Sequence, residues 1–183
     1  TNKIAEGELM QLANKNNLNT SLQQLKKISY YKTGRLFEAS AKSAAMLSGK
    51  SIPFIENISK AAKLIGIAFQ VRDDLLDYGV SKGNIGKPEM QDILEDKITY
   101  PLYFALKYSN KKDSSKILKK LKNKDFSIEE VADFVSSSNA FNKCNSLIQN
   151  YNNEISKCIN QISNKEIRDE MLNLSESLKN RYE

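Results

Sequence analysis

An all-α fold follows from three features of the 183-residue sequence. Glycine and proline are scarce, 7 and 3 in all, so few points interrupt regular structure. No segment alternates apolar and polar residues long enough to build a sheet. Apolar residues recur instead every three or four positions, behind helix-capping residues. The length is about that of one domain, and the expected form is a single antiparallel bundle of helices. With 40% apolar and 27% charged residues the chain belongs among globular proteins. No apolar run approaches the roughly 20 residues of a membrane span.

The elements can be placed in order. The chain opens at Thr1 inside a helical pattern, with no capping residues leading in, no signal-peptide core and no Arg-rich transit pattern. This start predicts a fragment, or a processed chain, of something longer. Asn14 to Thr20 is a polar turn, and Ser21-Leu22-Gln23-Gln24 is a capping box that starts a helix. That helix is expected to run to Leu47 and stop at Gly49. Pro53 opens a second, which continues to Tyr78. Gly79 to Gln91 is a loop. Shorter helices follow at 99–108, 113–122 and 127–136, the last behind the capping box Ser127-Ile128-Glu129-Glu130. Two longer stretches close the chain, with Ile167, Met171, Leu174 and Leu178 forming one apolar stripe.

Composition removes several chemistries. There is no histidine, hence no Ser-His-Asp triad, no His-paired cysteine and no zinc site built on imidazole. Cys144 and Cys158 lack the CxxC spacing of a redox motif, and a reduced, cytoplasmic chain is expected. Polar chemistry must rest on carboxylates, lysines, amides and hydroxyls. The net charge of +6 is spread along the chain. Residues 1–50 carry eight basic and three acidic groups, whereas residues 51–100 carry six basic and eight acidic. Concentrated acid within a basic chain suits an anionic ligand bridged by metal ions.

Two helices carry charge where a core should be. On the first, Leu25, Ile28, Leu36, Ala39 and Leu47 form an expected buried stripe, and Lys32 lies within about 20° of Leu25. An ammonium there must snorkel out or meet an anion. On the second, Gln70, Asp73, Asp74 and Asp77 share one narrow sector with Lys63 and Gly66. The rest of the helix between Leu64 and Tyr78 is apolar except Arg72. A helix apolar nearly all round with one acidic stripe should face a polar cavity inside a bundle. Three carboxylates that close raise one another's pKa, and a divalent cation removes that cost. Oxygen ligands without His or Cys point to Mg2+, which keeps waters and shares a phosphate with its substrate. Lys87 and Lys97, just past this helix, could clamp a diphosphate, with Gly83 and Gly86 letting the loop approach it.

At this point the chain resembles the polyprenyl synthetase family, the trans-isoprenyl diphosphate synthases. The run from Gly66 through Gln70 to Asp73-Asp74-Leu75-Leu76-Asp77 resembles that family's second aspartate-rich motif. Glu6-Gly7-Glu8 with Gln11 resembles its Gly-Glu-x-x-Gln segment, and Tyr31-Lys32-Thr33 its Lys-Thr pair. Ile85-Gly86-Lys87 with Asp92, then Lys97-Ile98-Thr99-Tyr100-Pro101, resemble the closing elements. These motifs stand in the family's order across residues 4–105, with a helical tail beyond.

The resemblance implies a bundle of the isoprenoid synthase type, truncated here at its N-terminus, so that residues 1–183 are the C-terminal portion of one domain. It implies head-to-tail, trans condensation of isopentenyl diphosphate with an allylic diphosphate in a homodimeric parent. Asp73, assisted by Asp74 and Asp77, would bind Mg2+ bridging to the allylic diphosphate, with Asp92 holding a water of the ion's shell. Lys32 and Lys97 would contact that diphosphate, with Lys87 nearby. Thr33 and Gln70 would line the place where the allylic cation forms. Ionisation of the allylic C–O bond, attack by the alkene and loss of a proton to the departing diphosphate need no histidine. The apolar wall must exclude water.

The family's first aspartate-rich motif, with its following basic pair, is not in this sequence, whose one Asp-Asp is Asp73-Asp74. About one hundred further residues would carry it. The isolated chain is therefore expected not to turn over, and to expose apolar surface that the absent helices would cover. A non-catalytic accessory subunit would share the fold but has no physical need for Asp73, Asp77, Lys32 and Lys97. A terpene cyclase would need an Asn/Asp-x-x-Ser/Thr-x-x-x-Glu motif, which is not evident after residue 60. A nucleic-acid-binding module would need a basic helix face or an aromatic platform, and neither is visible in the sequence, so no nucleic-acid partner is expected.

Overall fold

A computed structural model of the chain describes residues 2–79 and 90–180, with side chains to residue 177. Among the described residues there are helices and no strands. Helix α1 spans Asn2–Ala13, α2 Leu22–Ser29, α3 Arg35–Leu47 and α4 Ile52–Asp77. A short α5, Gln91–Leu94, precedes α6, Tyr100–Tyr108. Then come α7 Lys111–Asn123, α8 Ile128–Ser136, α9 Ala140–Ile159 and α10 Lys165–Asn180. The expected caps are in place. Ser21 Oγ accepts from Gln24 N–H and Ser127 Oγ from Glu130 N–H, both at 3.1 Å, satisfying donors that a helix start leaves unpaired. Gly49 ends α3 at φ 63°, with its N–H bonded to Met46 O and that of Lys50 to Ala45 O. Two bonds reaching back across a left-handed residue are what let the chain reverse into α4.

Helix α4 is the axis, packed between α3 and α9. Its buried residues lie on every side, from Ile58 and Ala61 through Ile65, Ile67 and Val71 to Leu75, as an almost wholly apolar circumference requires. Val71 and Leu75 join α6, α8 and α9 around Tyr100, Leu102, Val131, Val135 and Cys144. Ala61, Ile65 and Ala68 meet Ile155 and Ile159 of α9.

The expected helix from Ser21 to Leu47 is not continuous α-helix. Tyr30–Gly34 is a π segment, whose wider turn adds one residue and shifts everything beyond it. Leu25 and Ile28 are buried as expected, but Ala39 is exposed, as are Leu36 at 53% and Leu47 at 89%. Phe37, Ala41 and Ala45 face inward instead. The frame that predicts Leu36, Ala39 and Leu47 as core is thus out of phase after the π segment. A second correction falls on α10, where Leu174 is 44% exposed and Ser175 is buried in its place. Ser175 Oγ lies 3.1 Å from Asn152 Oδ1, so a buried hydrogen bond sets that helix's facing. The Leu178 side chain lies outside the described residues. A third correction concerns charge. Lys111, Lys112, Lys116, Lys119 and Lys122 are all exposed on α7, a basic helix face that the even spread of net charge conceals, and α7 carries no aromatic residue.

Exposed apolar side chains gather on α1 and at the α3–α4 corner: Leu9, Leu12, Leu36, Met46, Leu47 and Ile52. Leu94, Tyr108 and Leu174 are exposed elsewhere on the described surface.

Candidate active site

Close backbone contact builds the site. A Cβ on Gly66 would lie 2.7 Å from Gly34 Cα, so α4 and the π segment cross glycine to glycine. A Cβ on Gly7 would collide with the backbone of Tyr31 and Lys32, so α1 rests on the same segment. Approach this close requires residues without side chains. It brings Thr33 and Lys32 beside Gln70 and, one turn beyond Gly7, Gln11.

Gln70 is the hub. Its Oε1 accepts from Thr33 Oγ1 at 3.0 Å. Its Nε2 donates to Asp74 Oδ1 at 3.0 Å and to Asp73 Oδ2 at 3.3 Å. The other Asp74 oxygen accepts the Tyr100 N–H at 3.2 Å, and the Tyr100 hydroxyl lies 3.0 Å from Ser29 Oγ. Asp77 Oδ1 accepts the Gln91 N–H at 2.8 Å and Oδ2 that of Asp92 at 3.2 Å, fixing the start of α5. Asp73 is exposed.

Two lysines flank this arrangement. Lys32 Nζ donates to Gln11 Oε1 at 2.7 Å and lies 3.8 Å from Glu8. Its side chain is half-buried, so the ammonium in the apolar stripe is held by an amide and a more distant carboxylate. Lys97 Nζ lies 2.8 Å from Glu95 and 3.5 Å from Asp92. Gln11, Lys32, Gln70, Asp74, Lys97 and Tyr100 line one cleft. Gly83, Gly86 and Lys87 lie outside the described residues.

Burial, then the charge of Asp92, pushes Asp74 up to about 8, against the hydrogen bonds from Gln70 and Tyr100. Burial and the neighbouring charge of Asp77 raise Asp92 to about 6. Both protons are bound more tightly in the folded chain than in the unfolded one. The stability that these two groups contribute is therefore full below about pH 4, the ordinary aspartate range, and is lost as pH rises toward 8. In chelator, these two groups should cost the chain on the order of 5 kcal/mol between pH 5 and pH 8. Asp74→Asn should remove most of that slope. Thermal melts at the two pH values check this, and a wild-type chain equally stable at both would contradict it.

The three motif aspartates do not share one environment. Asp74 and Asp77 have both oxygens engaged by N–H donors, whereas Asp73 turns outward. Among the described residues no three acidic or thiol side chains form a ready-made cage for a metal. The donor set nonetheless fits a hard divalent cation held by few protein ligands, because it is all oxygen and because burial, aided by neighbouring carboxylate charge, raises Asp74 and Asp92. The sequence reading assigned no role to Gln11 or Glu95 and did not anticipate the Tyr100 N–H. Gln11 was open to detection, since it lies one turn from Gly7, on the face that touches Lys32.

The polyprenyl synthetase family matches residues 1–138. The chain belongs to that family. It is 36% identical over 117 residues to an octaprenyl diphosphate synthase of Haemophilus influenzae, a match covering 64% of this chain and 36% of the relative. It is 30% identical to a probable mitochondrial hexaprenyl pyrophosphate synthase of Yarrowia lipolytica, across 97% of this chain and 40% of that one. The chain thus spans well under half the length of these curated relatives. Among solved structures, a decaprenyl diphosphate synthase from Rhodobacter capsulatus superposes with a TM-score of 0.87 at 23% identity, over 99% of this chain and 57% of that one. A polyprenyl synthase from Caulobacter crescentus, complexed with calcium and isoprenyl diphosphate, gives 0.86 at 25% identity, over 97% and 55%. The isoprenoid synthase helical fold expected from the sequence is therefore the fold of this family member.

Proposed function

We propose that the chain forms the allylic-diphosphate side of a trans-prenyltransferase that condenses isopentenyl diphosphate with an allylic diphosphate into a polyprenyl diphosphate. One observation carries the reading: Lys32, Lys97, Gln70 and Asp74 line a single cleft, and Gln70 also hydrogen-bonds the exposed Asp73 beside it. Two ammonium groups beside an outward carboxylate suit a diphosphate that reaches the protein partly through metal. The Caulobacter relative's bound calcium and isoprenyl diphosphate support the pairing of these ligands.

In this reading Asp73 would hold Mg2+, while Asp74 anchors Gln70 and Tyr100 and Asp77 anchors the start of α5. When bound, Mg2+ neutralises the leaving diphosphate. Lys32 and Lys97 hydrogen-bond the diphosphate oxygens and orient the allylic C–O bond, with Lys87 as a third cation. Thr33 and Gln70 present oxygens toward the carbon that develops positive charge. The apolar lining from Leu25 and Ile28 excludes water from it. The parent is read as a cytoplasmic homodimer, residues 1–183 as the C-terminal part of its domain, and the bare faces of α1, α3 and α4 as covered by the rest of that domain.

The test is titration calorimetry of the 183-residue chain with an allylic diphosphate, with and without Mg2+. Binding that requires Mg2+, without turnover when isopentenyl diphosphate is added, is expected. Binding indifferent to Mg2+ would refute the site, and turnover by the isolated chain would refute its placement as one part of a larger domain.

A further inference from the structure

Lys97 is not left waiting for a ligand. Its side chain is 16% exposed and its Nζ sits 2.8 Å from Glu95, whose side chain is 49% exposed. Residues two apart diverge on a continuing helix, so this pair needs a special backbone. Asp96 supplies it at φ 62°, a conformation that non-glycine residues seldom adopt. The Asp96 N–H bonds to Ile93 O and the Lys97 N–H to Asp92 O, at 3.0 and 2.8 Å, the double bond pattern of a left-handed helix stop. The turn is anchored from two other places. Asn16 N–H donates to Asp96 O at 2.8 Å, and Lys124 Nζ lies 2.8 Å from Asp96 Oδ2. A strained turn pinned on both sides thus folds Glu95 back onto Lys97.

We infer that Glu95 is a resident counter-anion of Lys97, which an incoming diphosphate must displace. The inference rests on the reading of Lys97 as a diphosphate ligand. Lys97 has three N–H bonds and two carboxylate partners, Glu95 and Asp92, so a diphosphate that takes more than one of those bonds does so at a carboxylate's expense. Glu95 is the partner able to leave, because it is the more exposed and can regain water. The effect is to hold Lys97 in position when the cleft is empty, to weaken ligand binding, and to return the ammonium to an internal partner when diphosphate departs. Glu95 is a positioning residue acting through Lys97.

A double-mutant cycle tests this, with inorganic pyrophosphate and Mg2+ titrated into the full chain and its variants. Glu95→Gln should tighten binding about five-fold, the scale of a partly exposed ion pair, and Glu95→Ala should do the same. Glu95→Asp, which keeps the charge, should stay closer to wild type. Lys97→Met should weaken binding, and adding Glu95→Gln to it should give no further gain. Unchanged or weaker binding by Glu95→Gln and Glu95→Ala, while Lys97→Met still weakens it, would overturn the inference and leave the diphosphate site standing. A gain that persists in the Lys97→Met background would show Glu95 acting by its charge alone, and would also overturn it. Wild-type binding by Lys97→Met, or no binding by the wild-type chain, would overturn both.

Discussion

Gly66→Ala should destabilise the chain by about 2–3 kcal/mol, the cost of overpacking, and abolish Mg2+-dependent diphosphate binding. The direction is the reverse of the ordinary rule, since alanine is favoured over glycine inside a helix by about 1 kcal/mol. The added Cβ would stand 2.7 Å from Gly34 Cα and 3.1 Å from Gly34 N. Neither is the end of a side chain that could swing aside, so one backbone must move. The segment that moves carries Lys32 and Thr33, and the Thr33–Gln70 hydrogen bond spans the displaced crossing. Gly7→Ala acts by the same route from the other side, pressing α1 off Lys32 and drawing Gln11 away from its ammonium. Thermal melts and pyrophosphate titrations of both variants check the claim. A raised melting temperature with intact binding would mean that the crossing is looser than described.

Lys32→Met should weaken pyrophosphate binding roughly 10- to 100-fold, the value of a charge-assisted hydrogen bond in a partly buried site, with little loss of stability. Methionine preserves the stem that packs beneath the ammonium. It leaves Gln11 without a donor, but Gln11 is only part-buried and regains water. The measurement is the ratio of dissociation constants at fixed Mg2+ and ionic strength. A stable variant binding as tightly as wild type would remove Lys32 from the site.

The two predictions draw on features that differ in how visible they are along the chain. Lys32 and the Gln70–Asp77 stripe are legible in sequence because charge inside an apolar pattern needs no tertiary information to be noticed. The helix boundaries are legible for a similar reason, as Ser21, Gly49, Pro53 and Ser127 are local signals. The π segment is not. Its extra residue is set by where Gly34 meets Gly66 and Gly7 meets Lys32, contacts made across 32 and 25 positions of chain, and the facing of Leu36, Ala39 and Leu47 follows from it. The different hydrogen-bond settings of the aspartates are hidden likewise. Asp74 is held by a Tyr100 N–H far along the chain and Asp77 by the start of α5; neither donor belongs to the motif. Leu174 is misplaced because Ser175 answers to Asn152 on another helix. The Glu95–Lys97 pair depends on a left-handed aspartate that composition does not betray.

The central claim is that Asp73 brings a divalent cation to a diphosphate in this cleft. Substituting Mn2+ for Mg2+ and recording 31P relaxation of bound pyrophosphate tests it directly, because paramagnetic relaxation falls with the sixth power of the ion–phosphorus distance and is strongest for coordinated phosphate. Strong Mn2+-dependent relaxation in the wild-type chain, lost in a folded Asp73→Asn variant, is the expected result. Relaxation that is absent from the wild type, or equally strong in Asp73→Asn, would contradict it.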